Sequence, residues 1–359
     1  MLLRRSYLYI LLFTCLLTAC VGDVKEKDSF SAHNSVPSLD QVISPIDKSA
    51  FYFIEIVDFL AQDTILLNRQ TEAFFELVIR NLFTGKEEIF YRTAHPIIMA
   101  TPNPDNSKIM VQESINETSA RLSVINLKGE LLWEKDYVGT EVQWYWNPYR
   151  MNEVYVQSFA QDWSFETERV QLDQNFSENI SFEYPFFQWI HADEIIYLDW
   201  DPEILQQTTN LVKKNLQTDE TEILAQNAYA FSVQDGVLII FSVVEKEKPY
   251  AQITVLQLDG TTVFSYHEPL QNSFSENLLV PQFAYSAFQN GLLFYLTDES
   301  EEGFQLYFGS DEKLEKLDQP YKGMLPICTY AKSPYILVGY QKEWIYNMNT
   351  KQWYSMYQE

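Results

Sequence analysis

Residues able to do covalent or acid–base chemistry are sparse in this chain of 359 residues, and no motif gathers them. Histidine occurs at His33, His95, His191 and His267, with no spacing that would aim two imidazoles at one metal ion. There is no GxSxG, HExxH, Walker A or GxGxxG pattern, hence no nucleophile elbow, zinc helix or phosphate-cradling loop. No catalytic residue, metal or cofactor is expected. Two acidic loops, Asp199-Trp200-Asp201-Pro202-Glu203 and Asp298-Glu299-Ser300-Glu301-Glu302-Gly303, carry the oxygen donors that calcium prefers. Only Asp199, Asp201 and Glu203 approach the alternating ligand spacing, and solvated hairpin tips account for both loops. Cys328, within Leu325-Pro326-Ile327-Cys328-Thr329-Tyr330, reads as an inert thiol on a buried strand.

Aromatic side chains are the richer resource. All eight tryptophans lie at or after Trp133. Trp144, Trp146, Phe187, Trp189, Tyr229 and Phe283 crowd the places where one structural unit hands over to the next. Rings gathered on one rim would offer stiff contact area to a protein or a sugar. The competing use is core packing, because large rings fill wedge-shaped gaps between sheets.

The amino terminus determines where the chain sits. Arg4 and Arg5 precede an apolar run, Tyr7 to Leu17, which is shorter than the ~20 residues of a membrane-spanning helix. The run ends in Leu17-Thr18-Ala19-Cys20. This resembles the lipobox of bacterial lipoproteins, in which a small residue precedes the lipidated cysteine. Residues 1–19 then form a signal peptide, and Cys20 is the lipid attachment point on the outer face of the cytoplasmic membrane. Loss of the two arginines leaves a mature chain of charge −27. Residues 20–48 are polar, lack apolar periodicity and read as the lipidated cysteine followed by a flexible tether.

From residue 49 to 359 the chain repeats itself. A polar residue, an apolar residue and a turn recur with the apolar member at Leu82, Leu127, Leu172, Leu216, Leu258, Phe308 and Met348, spaced by 45, 45, 44, 42, 50 and 40 residues. A turn dipeptide before a fresh apolar strand keeps the same period, as at Asn106-Ser107, Asn152-Glu153, Asp235-Gly236 and Asn290-Gly291. Short β-branched and aromatic runs lie between these marks, four to a unit, in the order a, b, c, d. A four-stranded unit of this length is a propeller blade, since a lone twisted sheet cannot bury both faces. The prediction is an all-β chain, a single β-propeller of seven four-stranded blades, with six as the alternative, and no strongly interleaved closure.

Signal, polar tether and a propeller filling the remainder resemble the YqgU-like β-propeller lipoproteins of Gram-positive bacteria. That resemblance implies six blades and brings no catalytic activity with it. Acidic residues outnumber basic ones 50 to 25, so nucleic acid is an unsuitable partner. The expected function is that of a monomeric, non-catalytic module binding a protein or envelope component through one propeller face. The alternatives are a glycan or small ligand in the central channel, or a carbohydrate-active enzyme with channel carboxylates.

Overall fold

The computed structural model describes residues 42–358, except 139–140, 202–203, 205, 246–248, 272–277, 298–302 and 312. The described residues are strands joined by turns, with one 3-10 turn at Leu172–Gln174. Blade 1 comprises β1 (Phe53–Ala61), β2 (Thr64–Gln70), β3 (Phe75–Asn81) and β4 (Glu87–Thr93). Blade 2 comprises β5 (Ile97–Pro102), β6 (Lys108–Asn116), β7 (Ser119–Asn126) and β8 (Leu131–Val138). Blade 3 comprises β9 (Glu141–Trp146), β10 (Glu153–Phe159), β11 (Phe165–Gln171) and β12 (Phe176–Ile180). Each blade is an antiparallel meander with strands hydrogen-bonded in chain order.

The next sheet has seven strands, β13 (Gln188–His191), β14 (Glu194–Leu198), β15 (Thr209–Asn215), β16 (Thr221–Gln234), β17 (Val237–Val244), β18 (Tyr250–Gln257) and β19 (Thr262–Pro269). It holds two four-stranded units that share the 14-residue β16. Up to Ala228 that strand pairs with β15, and from Ala228 onward with β17. Asn227, in the left-handed region at φ 53°, marks the handover. Two four-stranded sheets follow: β20 (Phe283–Ser286), β21 (Gly291–Thr297), β22 (Phe304–Gly309) and β23 (Leu314–Lys316), then β24 (Ile327–Cys328), β25 (Tyr335–Val338), β26 (Trp344–Asn347) and β27 (Gln352–Ser355). The described residues thus form six hydrogen-bonded sheets that carry seven four-stranded units, blades 1 to 7.

The repeat has a local cause. Strand c ends in asparagine in four blades, and its side-chain oxygen accepts from backbone N–H groups of the turn that follows. Asn81 takes Thr84, Asn126 takes Lys128, Asn215 takes Gln217 and Asn347 takes Asn349. Such a side chain imitates a backbone turn. The c–d turns also need one left-handed residue, which Asn175, Asp219 and Lys351 supply as well as glycine. Gly129 (φ 79°) allows no alternative, because a Cβ there would lie 2.0 Å from the carbonyl oxygen of Phe90.

The core lies between blades rather than within them. Val124 and Trp133 of blade 2 pack with Val142, Val154 and Val156 of blade 3. Tyr155 of blade 3 meets Phe187, Trp189 and Ile195 of blade 4. Equivalent clusters join blades 4 to 5, 5 to 6 and 6 to 7. Blades 1 and 2 are tied by Asn106, which donates to Leu60 O at 2.9 Å, and by Tyr91, which donates to Glu113 at 3.0 Å. Tyr335, Leu337 and Ile345 of blade 7 pack on Ile54, Ile56 and Leu67 of blade 1 and close the ring.

One expectation needs correction. Residues 42–48 are not tether: Ile43 and Ile46 are buried between blades 7 and 1. Ile46 forms a parallel bridge with Tyr357, donating to Met356 O at 2.7 Å and accepting from Gln358 N at 2.9 Å. Arg80 grips the carbonyls of Ser44 and Pro45 at 3.0 Å. This segment adds one bridge after the last strand of blade 7, while blades 1 and 7 each keep four strands of their own, so closure is not strongly interleaved. Two isolated isoleucines in a polar stretch produce no periodicity, so this burial left no pattern to read.

Candidate ligand-binding cavity in the propeller channel

Strand a of each blade runs along the channel, from the face carrying the d–a connections to the face carrying the a–b turns. At the a–b end, inner strands and a–b turns of blades 2 to 5 line a cavity of about 600 Å³. Blade 2 contributes Pro104. Blade 3 contributes Tyr145 and Trp146 from β9, and Pro148 and Tyr149 from its a–b turn. Blade 4 supplies Phe187, Gln188 and Trp189, and blade 5 supplies Val233, Asp235 and Gly236.

Alternation along β9 explains the aromatic wall. Trp144 and Trp146 project toward blade 2 and pack on the cluster shared with it. Tyr145, between them, packs with Phe187 in the cluster shared with blade 4, at a ring-centroid distance of 4.4 Å. The indole N–H of Trp146 is enclosed and has no acceptor among the described residues, so this side chain offers ring surface rather than a donor. Tyr149 is 43% exposed, and its hydroxyl donates to Ile190 O at 2.6 Å. Tyr145 donates to Gln143 at 2.9 Å, and burial pushes its phenol up to about 12.

Two acidic groups, one of them in the cavity lining, act on each other through their charges. Asp235, left-handed at φ 48°, is an exposed residue of the a–b turn of blade 5. Enclosure against the channel wall raises its carboxyl above the usual range, and the charge of Asp58 raises it further. Asp58, on strand a of blade 1, is likewise held high by burial. It accepts from the Cys328 thiol at 3.0 Å and from Phe59 N at 2.6 Å, while the nearby Lys342 pulls it down. Burial and Asp58 together push the Cys328 thiol well above its ordinary value, the opposite of an activated nucleophile.

The six aromatic residues singled out from the sequence do not form one exposed rim. Phe187 and Trp189 are 0% and 4% exposed and are inter-blade core, although both reach the cavity wall. Trp144 is half-buried, and its indole donates to Thr101 at 2.9 Å. Tyr229 and Phe283 pack on the cluster between blades 5 and 6, with Phe283 4.8 Å from Phe241. Trp146, Phe187 and Trp189 are brought together, at the a–b end rather than the d–a end. Rings on the d–a and b–c face do reach solvent at Phe186, Trp200 and the 65%-exposed Trp163. Sequence reasoning missed Tyr149 altogether and read Asp235 only as part of a turn dipeptide. Among the described residues no three His, Cys, Asp or Glu side chains converge on a metal position. Cys20, Glu203 and the acidic segment 298–302 lie outside the described residues.

Fold and cavity together define a single-chain β-propeller with an aromatic-walled channel mouth. The chain belongs to the YqgU-like 6-bladed beta propeller domain family, whose model matches residues 81–314. The six blades of that description equal the hydrogen-bonded sheets in number; the shared β16 raises the count of four-stranded units to seven. The chain is 28% identical over 198 residues to the uncharacterized lipoprotein YqgU of Bacillus subtilis (strain 168), across 55% of this chain and 54% of that protein. The match thus spans about half the length of that relative. Among solved structures, the uncharacterized protein lmo1340 from Listeria monocytogenes EGD-e superposes with a TM-score of 0.76 at 16% identity, over 88% of this chain and 98% of that one. The propeller domain of the Trilobed protease from Pyrococcus furiosus, described as having an open velcro topology, gives 0.54 at 13% identity, over 85% and 98%. At these identities the structural likeness is one of fold.

Proposed function

We propose that this protein is a lipid-anchored extracytoplasmic receptor that holds a small ligand, or the end group of an envelope polymer, in the channel cavity without transforming it. The lipid is carried by Cys20 on the outer face of the cytoplasmic membrane, and the propeller acts as a monomer. The single observation behind this reading is the cavity: its volume suits a small molecule, and inner strands and a–b turns of four neighbouring blades line it. A flat patch would have favoured protein docking, but the aromatics form a recess. The channel carboxylates argue against a glycosidase, because Asp58 is committed to Cys328 and Phe59 and is not free as a partner acid for Asp235.

The test is a panel of sugars, amino acids and amines titrated against the full-length protein, followed by tryptophan fluorescence, with Tyr149→Ala alongside. The expected result is a saturable change in the wild type that weakens in the variant. Binding unaffected by Tyr149→Ala, or no binding across the panel, would overturn the reading.

A further inference from the structure

The polar side chains of the cavity narrow the chemistry of its ligand. Both tyrosine hydroxyls donate to protein acceptors, and the Gln188 side-chain oxygen accepts from Val233 N. The indole N–H groups of Trp146 and Trp189 are enclosed. Asp235 is left: among the described residues no hydrogen bond or ion pair engages its carboxylate. No lysine, arginine or histidine lines the cavity. Arg150, next in sequence to Tyr149, is paired with Asp193 and Glu153, and Lys342, close to Asp58, donates to Ile56 O. His191 lies on Tyr149, with ring centroids 5.5 Å apart, and is not part of the lining.

We propose that the cavity binds an organic cation of the alkylammonium or trimethylammonium type, seated among Tyr145, Trp146 and Tyr149 with Asp235 as its counter-charge. This rests on the reading above that the cavity is the binding site. Electron-rich ring faces attract a positive head group, and a carboxylate across the recess completes the complementarity. A neutral sugar would find few free donors here, and an anion would meet both Asp235 and the field of Asp58. The mature chain, at −27, raises the local concentration of cations and repels anions.

The experiment titrates detergent-solubilised full-length protein with choline, with n-butylammonium, and with 3,3-dimethyl-1-butanol, the neutral isostere of choline. Glucose serves as a neutral saccharide. Calorimetry and tryptophan fluorescence are the readouts, at low and high salt. The proposal expects the cations to bind about tenfold or more tightly than the isostere, and Asp235→Asn to abolish that preference. It also expects added salt to weaken the cations and leave the isostere unchanged. If the isostere or glucose binds as well as the cations, and Tyr149→Ala weakens that binding, the cation proposal fails while the cavity reading stands. If no probe gives a Tyr149-dependent signal, both fail.

Discussion

Trp189 and Tyr149 line the same cavity, yet their replacement by alanine should have opposite consequences. Trp189 is 4% exposed and sits edge-to-face on Phe187 of its own blade (5.5 Å, 82°) and, across the joint of blades 3 and 4, on Tyr155 (5.1 Å, 74°). Truncating a buried indole costs about 3–5 kcal/mol, since the surrounding strands cannot close the void. Removing its unpartnered N–H returns about 1 kcal/mol, which points to the lower half of that range. Tyr149 is half in solvent and makes one hydrogen bond, so Tyr149→Ala should cost about 1–2 kcal/mol. Guanidinium unfolding, followed by circular dichroism so that lost indole signal does not interfere, measures both. Ligand titration of the folded variants supplies the other axis: Tyr149→Ala should lose binding with little loss of stability. A Trp189→Ala protein within about 1 kcal/mol of wild type would refute the assignment of this indole to the inter-blade core.

Three further outcomes are expected. Cys20→Ser should move the protein from the membrane fraction to the medium, or leave it unprocessed; a processed variant still firmly membrane-bound would exclude lipid attachment there. Glu76, 3% exposed, bridges Arg69 at 2.9 Å and Arg92 at 2.6 Å. Glu76→Ala should therefore destabilise by about 3–5 kcal/mol, against under about 1 kcal/mol for Arg121→Ala, which breaks a surface pair with Asp136. Equal effects of these two changes in urea unfolding would contradict this. Glu268, beside Tyr229, is pushed up to about 7 by burial. As pH rises from about 4.5 to 7 the unfolded chain releases this proton before the folded one, so stability should fall by about 1–2 kcal/mol, allowing for the part of the group that faces solvent. Glu268→Gln should remove that component, and a pH-independent difference between wild type and variant would count against it.

The repeat was legible because its marks are local chemistry. Asn126 must cap its own turn, and Gly129 must adopt φ 79° beside Phe90, whatever the rest of the chain does. Strand positions follow from such marks: Asn106-Ser107 immediately precedes β6, and Asn126 closes β7. The junction of blades 4 and 5 could not be seen in the same way. Nothing between Thr221 and Gln234 is glycine or proline, and Asn227 alone bends β16 from one blade into the next.

The cavity was legible in residue type but not in place, for a physical reason. A propeller blade buries both faces, so a strand such as β9 shows no polar–apolar alternation to reveal which rings point where. Glu-Val-Gln-Trp-Tyr-Trp sends Trp144 and Trp146 to blade 2 and Tyr145 to blade 4, and only the neighbouring blades decide what is covered. Asp235 is harder still. Its Asp-Gly pair is sufficient as a turn, and any other turn residue would satisfy the strand count. It acquires a binding role because ring closure sets the a–b turn of blade 5 around the same recess as that of blade 3, more than eighty residues earlier in the chain. An isolated carboxylate in a turn is ordinary. The same carboxylate without a partner, in a recess walled by aromatic rings whose own polar atoms are already bonded or enclosed, selects for positive charge.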